Sequence, residues 1–485
     1  MRFTSLILSL LFMGCAAKPA LQRTHRVTHD TRRVARWGPP PLRFAVQLNK
    51  RYVKAGAPDE IIARLRITTE PDLTIPRAPV NLGLVVDTSG SMSGAAIVHA
   101  RKAALAMVKA LQDGDRIAIV VFSSEARVLV PSTIIDAESR PQIAAQLASM
   151  VARGTTDMSG GLSAGIAQVR RNLRPGAINR VVLLSDGNPN DARPILGLAQ
   201  FAQRSSITIT ALGLGLDYNE TLLGAVARSS GGTFHFIKDP AEVAKVFRDE
   251  VVRMRQVIAQ QLSLRILPGP GITIRRVYGR ALQRSGRHAW VPLGVMRAGE
   301  QRDVMIRLSI PARRAGATIE LMDGLVTYVA KTAGPGVPVR HKFYLSAGST
   351  LNPAKLSAGH DKGFDLSLAR AEAAQSTVDA IALARSRQLK KALAMLDRAL
   401  AAARLAVQKF KDPKLAAQIS QMIKLRAALP TLVPRLRAVW GNRRIRRIHP
   451  GLPQHQRPQP QTAPVPAAAS TIRRAHSAAT RVLDR

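Results

Sequence analysis

The chain has 485 residues, length for about three domains, and 46% of them are hydrophobic, which excludes a chain disordered throughout. It carries 72 Lys and Arg against 31 Asp and Glu, a formal net charge of +41. A single cysteine excludes a disulfide framework and any cysteine-based zinc or iron–sulfur site, and 4% aromatics leave no platform for stacking single-stranded nucleic acid.

Residues 6–13 form an apolar run too short to span a bilayer and of the length of a signal-peptide core. It leads into Leu11-Phe12-Met13-Gly14-Cys15, which resembles a bacterial lipobox, with Phe12 where Leu is preferred. The resemblance implies a signal peptide over 1–14, cleavage before Cys15, and lipidation of that sole cysteine. The expected location is the bacterial cell envelope, reached by secretion across the inner membrane. Ala16-Ala17 follows Cys15 without an Asp, which points the lipid anchor to the outer membrane. In that compartment nucleic acid is a poor partner for a basic surface, and anionic envelope polymers or lipid head groups are better ones.

Residues 15–41 are Arg-rich and end in Pro39-Pro40-Pro41, the composition of a basic tether. Phe44, Val46 and Leu48, then Ala63, Leu65 and Ile67, alternate with polar residues and predict strands within 42–75. Over 76–255 apolar strand-like runs (82–86, 116–122, 128–130, 181–184, 207–212 and 233–237) alternate with helical stretches. Those helices are expected to begin near Ser91, Glu138, Ser159, Ala192, Asn219 and Pro240. This is the pattern of an α/β domain with a doubly wound, mostly parallel sheet. Period-two alternation returns over 256–347, as in Leu262, Leu264 and Ile266, and implies an antiparallel β-sandwich. The early strands belong to it, so the α/β domain is expected as an insertion in the sandwich. Residues 363–437 are helical: Leu389, Leu393, Leu396, Leu400, Ala403 and Val407 make one stripe, and Leu415 opens another after Asp412-Pro413. A helical hairpin packed on the body is expected there, and a basic disordered tail over 438–485.

The segment with most chemical content is Asp87-Thr88-Ser89-Gly90-Ser91, directly after the apolar run 82–86. Ligands of open α/β sheets sit at the carboxyl ends of strands. One carboxylate and two hydroxyls on a loop there form a hard-oxygen set suited to Mg²⁺. Two further loops bring like groups: Gly154-Thr155-Thr156-Asp157 before a helix, and Ser185-Asp186-Gly187 at the end of a buried strand. In these three loops the sequence resembles the von Willebrand factor type A family and its metal-ion-dependent adhesion site. The resemblance implies Asp87, Ser89, Ser91, Thr156 and Asp186 as holders of Mg²⁺, or of Mn²⁺ or Ca²⁺. In the second loop Thr155 competes for the role, and spacing to the following helix favours Thr156. In the third, Ser185 stands where the family usually has Thr. The sandwich resembles that of bacterial surface proteins labelled inter-alpha-trypsin-inhibitor-like.

Enzymatic alternatives lack their groups. A haloacid-dehalogenase-type phosphatase needs Asp-x-Asp, and Ser89 replaces the second Asp. Asp87-Thr88-Ser89 is not the Asp-Thr-Gly of an aspartic protease, and no phosphate loop or His-Glu-x-x-His occurs. His99 and His235 fall inside a helical and a strand pattern and read as packing or surface residues. No enzyme is therefore expected. The function expected is metal-dependent binding of a protein partner that offers an acidic side chain. Two alternatives remain at this stage: a scaffold whose metal only stiffens three loops, and an electrostatic binder of anionic envelope polymers.

Overall fold

The strands predicted on either side of the α/β segment do pair with each other, which makes that segment an insertion. The computed structural model describes residues 21–27, 35–37, 41–71, 78–174, 176–214, 219–237, 239–330, 337–357, 362–448 and 467–484. The leader and Cys15 lie outside the described residues. Before the insertion run β1 (Leu21–Val27), β2 (Ala35–Trp37), β3 (Leu42–Leu48), β4 (Tyr52–Lys54) and β5 (Asp59–Thr69). The insertion holds β6 (Val80–Asp87), α1 (Ala95–Ala110), β7 (Arg116–Phe122), β8 (Ala126–Ile134), α2 (Ser139–Ala148), α3 (Met158–Arg170) and β9 (Ile178–Ser185). It continues through α4 (Arg193–Arg204), β10 (Thr208–Leu214), α5 (Glu220–Ser230), β11 (Phe234–Ile237) and α6 (Val243–Arg255). The sandwich resumes with β12 (Val257–Pro268), β13 (Thr273–Val277), β14 (Gln283–Ser285), β15 (His288–Arg297), β16 (Gln301–Ile310), β17 (Thr318–Ala330) and β18 (Pro338–Thr350). Helices α7 (Pro353–Ser357), α8 (Lys362–Arg385), α9 (Leu389–Phe410), α10 (Pro413–Ile448) and α11 (Ala467–Asp484) follow.

Among the described residues one sandwich sheet has the order β13-β16-β5-β3-β2, and the other β1-β18-β17-β12-β15-β14, with β4 beside β18. The pairing of β5 with β16 runs antiparallel from Asp59↔Ile310 to Thr68↔Gln301 and closes the sandwich around the insertion. Period-two burial explains it. Ile61, Ala63, Leu65 and Ile67 face Leu264, Ile266, Val326 and Phe343 in one core. Ile62 and Met305, on the opposite face, join Phe364, Ala374 and Val378 of α8 and Leu483 of α11.

The inserted sheet has the order β11-β10-β9-β6-β7-β8, parallel except for β8 against β7. Strand β6 is buried along its whole length and pairs with β7 on one side and β9 on the other, so the chain changes direction of travel there. Helices α1, α2 and α6 pack on one face and α3, α4 and α5 on the other. Helix α3 approaches β6 closely because both contacts are glycines. A Cβ on Gly165 would lie 2.3 Å from Val85 Cγ2, and one on Gly83 2.9 Å from Val169 Cγ2. Gly165→Ala is therefore expected to lower the urea midpoint of the chain. The overpacking costs ~1–3 kcal/mol, against ~1 kcal/mol that Ala gains in a helix. An unchanged or raised midpoint would show that α3 can move off the sheet at no cost.

Three expectations need correction. The helix expected near Ser91 begins at Ala95, after a single 3-10 turn over Gly90–Met92, because Gly94 takes a φ of +76° and interrupts it. The stretch 15–41, expected as a tether, contains two strands: β1 pairs in parallel with β18, and β2 with β3. Edge pairing uses backbone groups, so it left no apolar alternation in the sequence to detect. The tail 438–485, expected without structure, contains the end of α10 and the whole of α11, which docks with Ile472 and Ala475 in the core of the helical region. That region is accordingly more than a hairpin.

Candidate metal centre

Strand β6 delivers Asp87 to the carboxyl edge of the sheet, where the side chain is fully buried. Its two oxygens are oriented from different elements: Ser185 Oγ, at the end of β9, donates to Oδ2 (2.6 Å), and the Ser89 amide donates to Oδ1 (2.9 Å). Burial pushes the Asp87 carboxyl up, against these hydrogen bonds from Ser185 and Ser89. Ser89 Oγ lies 3.0 Å from Ser91 Oγ, and Ser91 Oγ donates to Asp186 Oδ1 (2.7 Å). The first and third loops thus meet through a chain of hydroxyls that starts beside a buried carboxylate and ends at the exposed Ser91.

The second loop is stitched to the first by backbone. Gly90 N donates to Gly154 O (3.0 Å), and Arg153 N to Thr88 O (2.8 Å). Gly154 has a φ of +76°, and a Cβ there would lie 2.5 Å from Ser124 Oγ, so the turn accepts only glycine without strain. Of the two threonines, Thr156 faces the centre. A Cβ on Gly187 would lie 3.6 Å from both Ser91 Oγ and Thr156 Oγ1. Thr155 is exposed and accepts from Asn190 Nδ2 (3.1 Å) beside Ser124. Asp157 is used otherwise: its carboxylate caps α3, accepting from Gly160 N (3.0 Å) and Ser159 Oγ (2.9 Å).

The structure therefore brings Asp87, Ser89, Ser91, Thr156 and Asp186 to one place. It adds two supporting residues that sequence reasoning did not assign. Ser185 orients Asp87, and Asn190 bridges the second and third loops through Oδ1 to Thr156 N (3.3 Å), while its own amide donates to Thr156 O (2.9 Å). The run Asn188-Pro189-Asn190 after the third loop was the available signal, since such residues fix turns. Among the described residues no group of three or more His, Cys, Asp or Glu side chains is placed to hold a metal ion together. A cation here would be held by two carboxylates and three hydroxyls, a set that fits a hard ion retaining some water and does not fit a soft metal. The buried Asp87 carboxylate, which accepts hydrogen bonds from the uncharged Ser89 amide and Ser185 hydroxyl, is the feature that fits a positive ion nearby.

The family model of the von Willebrand factor type A domain matches residues 81–249. Residues 81–249 are a von Willebrand factor type A domain. An uncharacterized protein of Synechocystis sp. is 27% identical over 278 residues, 55% of this chain and 66% of the relative. The uncharacterized protein YfbK of Escherichia coli is 30% identical over 192 residues, 38% of this chain and 33% of its own. The chain thus spans between one third and two thirds of the length of these bacterial relatives. Among solved structures, a von Willebrand factor type A protein from Catenulispora acidiphila is similar with a TM-score of 0.61 at 22% identity, over 77% of this chain and 88% of that one. The likeness is one of fold, and it extends beyond the von Willebrand factor type A domain into the flanking regions. Members of this domain family are for the most part binding and scaffold modules.

Proposed function

We propose that the chain is a protein-binding module of the bacterial cell envelope, anchored through lipid on Cys15, that grips an acidic side chain of its partner at the centre built from Asp87, Ser89, Ser91, Thr156 and Asp186. The observation that carries this reading is the convergence of three loops, from β6, from the start of α3 and from β9, on one hydroxyl-rich point that opens to solvent at Ser91. Asp87 and Asp186 supply the negative charge for a divalent ion, Mg²⁺ above all. Ser89, Ser91 and Thr156 add neutral oxygens that leave the ion electrophilic. A bound ion of this kind offers an open position that a partner carboxylate can take. The apolar run 6–13 and the lipobox-like Met13-Gly14-Cys15 support the envelope location. Among the described residues no helix is long and apolar enough to cross a membrane.

The test is capture of envelope proteins on the immobilised chain in Mg²⁺ and in EDTA, with Ser91→Ala and the double variant Asp87→Ala, Ser89→Ala alongside. Retention of the partner is expected to drop at least tenfold in EDTA and in both variants, roughly 1.4 kcal/mol or more of binding free energy. Ser91 is exposed, so its variant reports on the site without the risk of unfolding that accompanies loss of Asp87. Capture indifferent to chelation and to both variants would sink the metal-dependent reading.

A further inference from the structure

A second polar surface lies away from the metal centre, where the outer face of the β13–β16 sheet meets α8 and α9. Two cavities of about 510 and 490 Å³ open there and share Arg275, Arg276, Gln375 and Asp379, so they form one continuous groove. It extends from α9 past β13 to α5 of the von Willebrand factor type A domain. Among the described residues seven arginines line it against two carboxylates, Glu372 and Asp379.

Both carboxylates are already engaged. Asp379 pairs with Arg276 and accepts from Gln375 Nε2 (2.8 Å). Glu372 pairs with Arg307 and accepts from Tyr278 OH (3.1 Å). Arg275 and Arg398, on opposite walls, make no hydrogen bond or ion pair among the described residues, and Arg284 donates only to the neutral Ile274 carbonyl (3.0 Å). The strand is shaped to present these charges. A register shift between Ile274 and Arg276 in the β13–β16 pairing lets two consecutive residues, Arg275 and Arg276, stand exposed while Ile274 and Val277 remain buried. Bulges of this kind re-aim side chains that regular alternation would send to opposite faces.

We propose that this groove is a second binding surface, independent of the metal centre, that takes an acidic peptide segment of a protein partner. The surplus of guanidinium groups selects carboxylates, which the planar fork of arginine binds bidentately. Between the charges the α8 and α9 wall is alanine and methionine, as at Ala373, Ala399 and Met395, and suits small side chains. Sugar rings would need an aromatic platform, and Tyr278, the aromatic among the described lining residues, is 5% exposed beneath Arg307. The segment 449–466 between α10 and α11 contains no Asp or Glu, so it does not supply the missing charge.

The experiment uses the full chain and a fluorescein-labelled twelve-residue peptide of alternating Glu and Ala, titrated by anisotropy in Mg²⁺ and in EDTA. Equal binding in both buffers is expected, weakening as salt rises. The double variant Arg275→Gln, Arg398→Gln, with an unchanged melting temperature, is expected to bind at least tenfold more weakly. The proposal is overturned if the peptide does not bind, if the double variant binds it as the parent does, or if a heparin fragment binds the groove and the peptide does not. Because chelation does not enter, this result stands or falls separately from the metal-dependent reading.

Discussion

Replacing Glu250 with Gln is expected to destabilise the chain by about 3–5 kcal/mol, the cost of leaving a buried charge without its partner. Glu250 projects from α6 into the sheet and is 1% exposed, as is Arg180 of β9, with which it forms an ion pair. Thr210 Oγ1 of β10 donates to the same carboxylate (2.9 Å), and His235 Nε2 of β11 stands 3.9 Å from its other oxygen. Burial would raise the Glu250 pKa, yet the positive charges of Arg180, His235 and Arg297 overcome it and hold the group at about 2. The stability it contributes is present above the ordinary glutamate value of 4.5 and is lost as pH falls from there towards 2. Arg297 belongs to β15, so one carboxylate ties three strands of the insertion, its last helix and the sandwich. In Glu250→Gln the Arg180 guanidinium stays buried with a neutral partner. Replacing both partners by apolar residues, Arg180→Met with Glu250→Leu, is expected to recover most of the loss, because the desolvation cost disappears with the charges. Urea unfolding of the parent and the two variants measures both effects. A single variant within 1 kcal/mol of the parent would show that water reaches this cluster.

The same cluster shows where the sequence was legible and where it was not. The inserted sheet could be read because its strands are short apolar runs buried on both faces, as 82–86 and 181–184 show. The convergence of the three loops could be anticipated because Asp87, Ser89 and Ser91 are local in sequence and the two other loops fall at element ends. Arg180, Glu250 and His235 could not be paired, since three charged residues on three elements carry no periodic signal of a shared burial site. Ser185 and Asn190 escaped for a related reason: each acts on a neighbour's backbone or carboxylate across the sheet edge, a relation fixed by strand order. The arginine groove depends on a one-residue register shift that no pattern announces. Helix α11 did carry a signal. Ile472, Ala475, Ala479 and Leu483 recur at helical spacing and are all buried, but the Pro- and Gln-rich stretch before them set the reading of the whole tail.

Helix α11 is also where acid is expected to act. His476 is fully buried, its ring edge-on to Phe234 of β11 at 5.7 Å between centroids, with neither ring nitrogen hydrogen-bonded among the described residues. The groups around it are Gly224, Glu220 and Arg228 of α5, Arg385 of α8, and Arg473 of its own helix. Burial pushes the imidazole down to about 4. Glu220 opposes that shift, and Arg228 and Arg385 add to it. A released helix would carry a histidine with the ordinary value of 6.5. The docked form therefore binds fewer protons. Its advantage is complete above pH 6.5 and is lost as pH falls through 4, a difference of about 3 kcal/mol across the window. Glu220 works in the same direction at lower pH. Burial raises it, but Arg385, Arg473 and His476 together hold it below the ordinary value of 4.5, so its contribution also disappears in acid. Hydrogen exchange of residues 467–484, corrected for the intrinsic pH dependence of exchange, is expected to accelerate between pH 7 and pH 4.5. In His476→Leu, which keeps a buried side chain without a titrating group, that acceleration should shrink to what Glu220 contributes. Exchange that stays flat over this range in the parent chain would mean that the imidazole reaches a partner or water in the docked state. The helix would then be held by its apolar residues Ile472, Ala475, Ala479 and Leu483, without a contribution from proton balance.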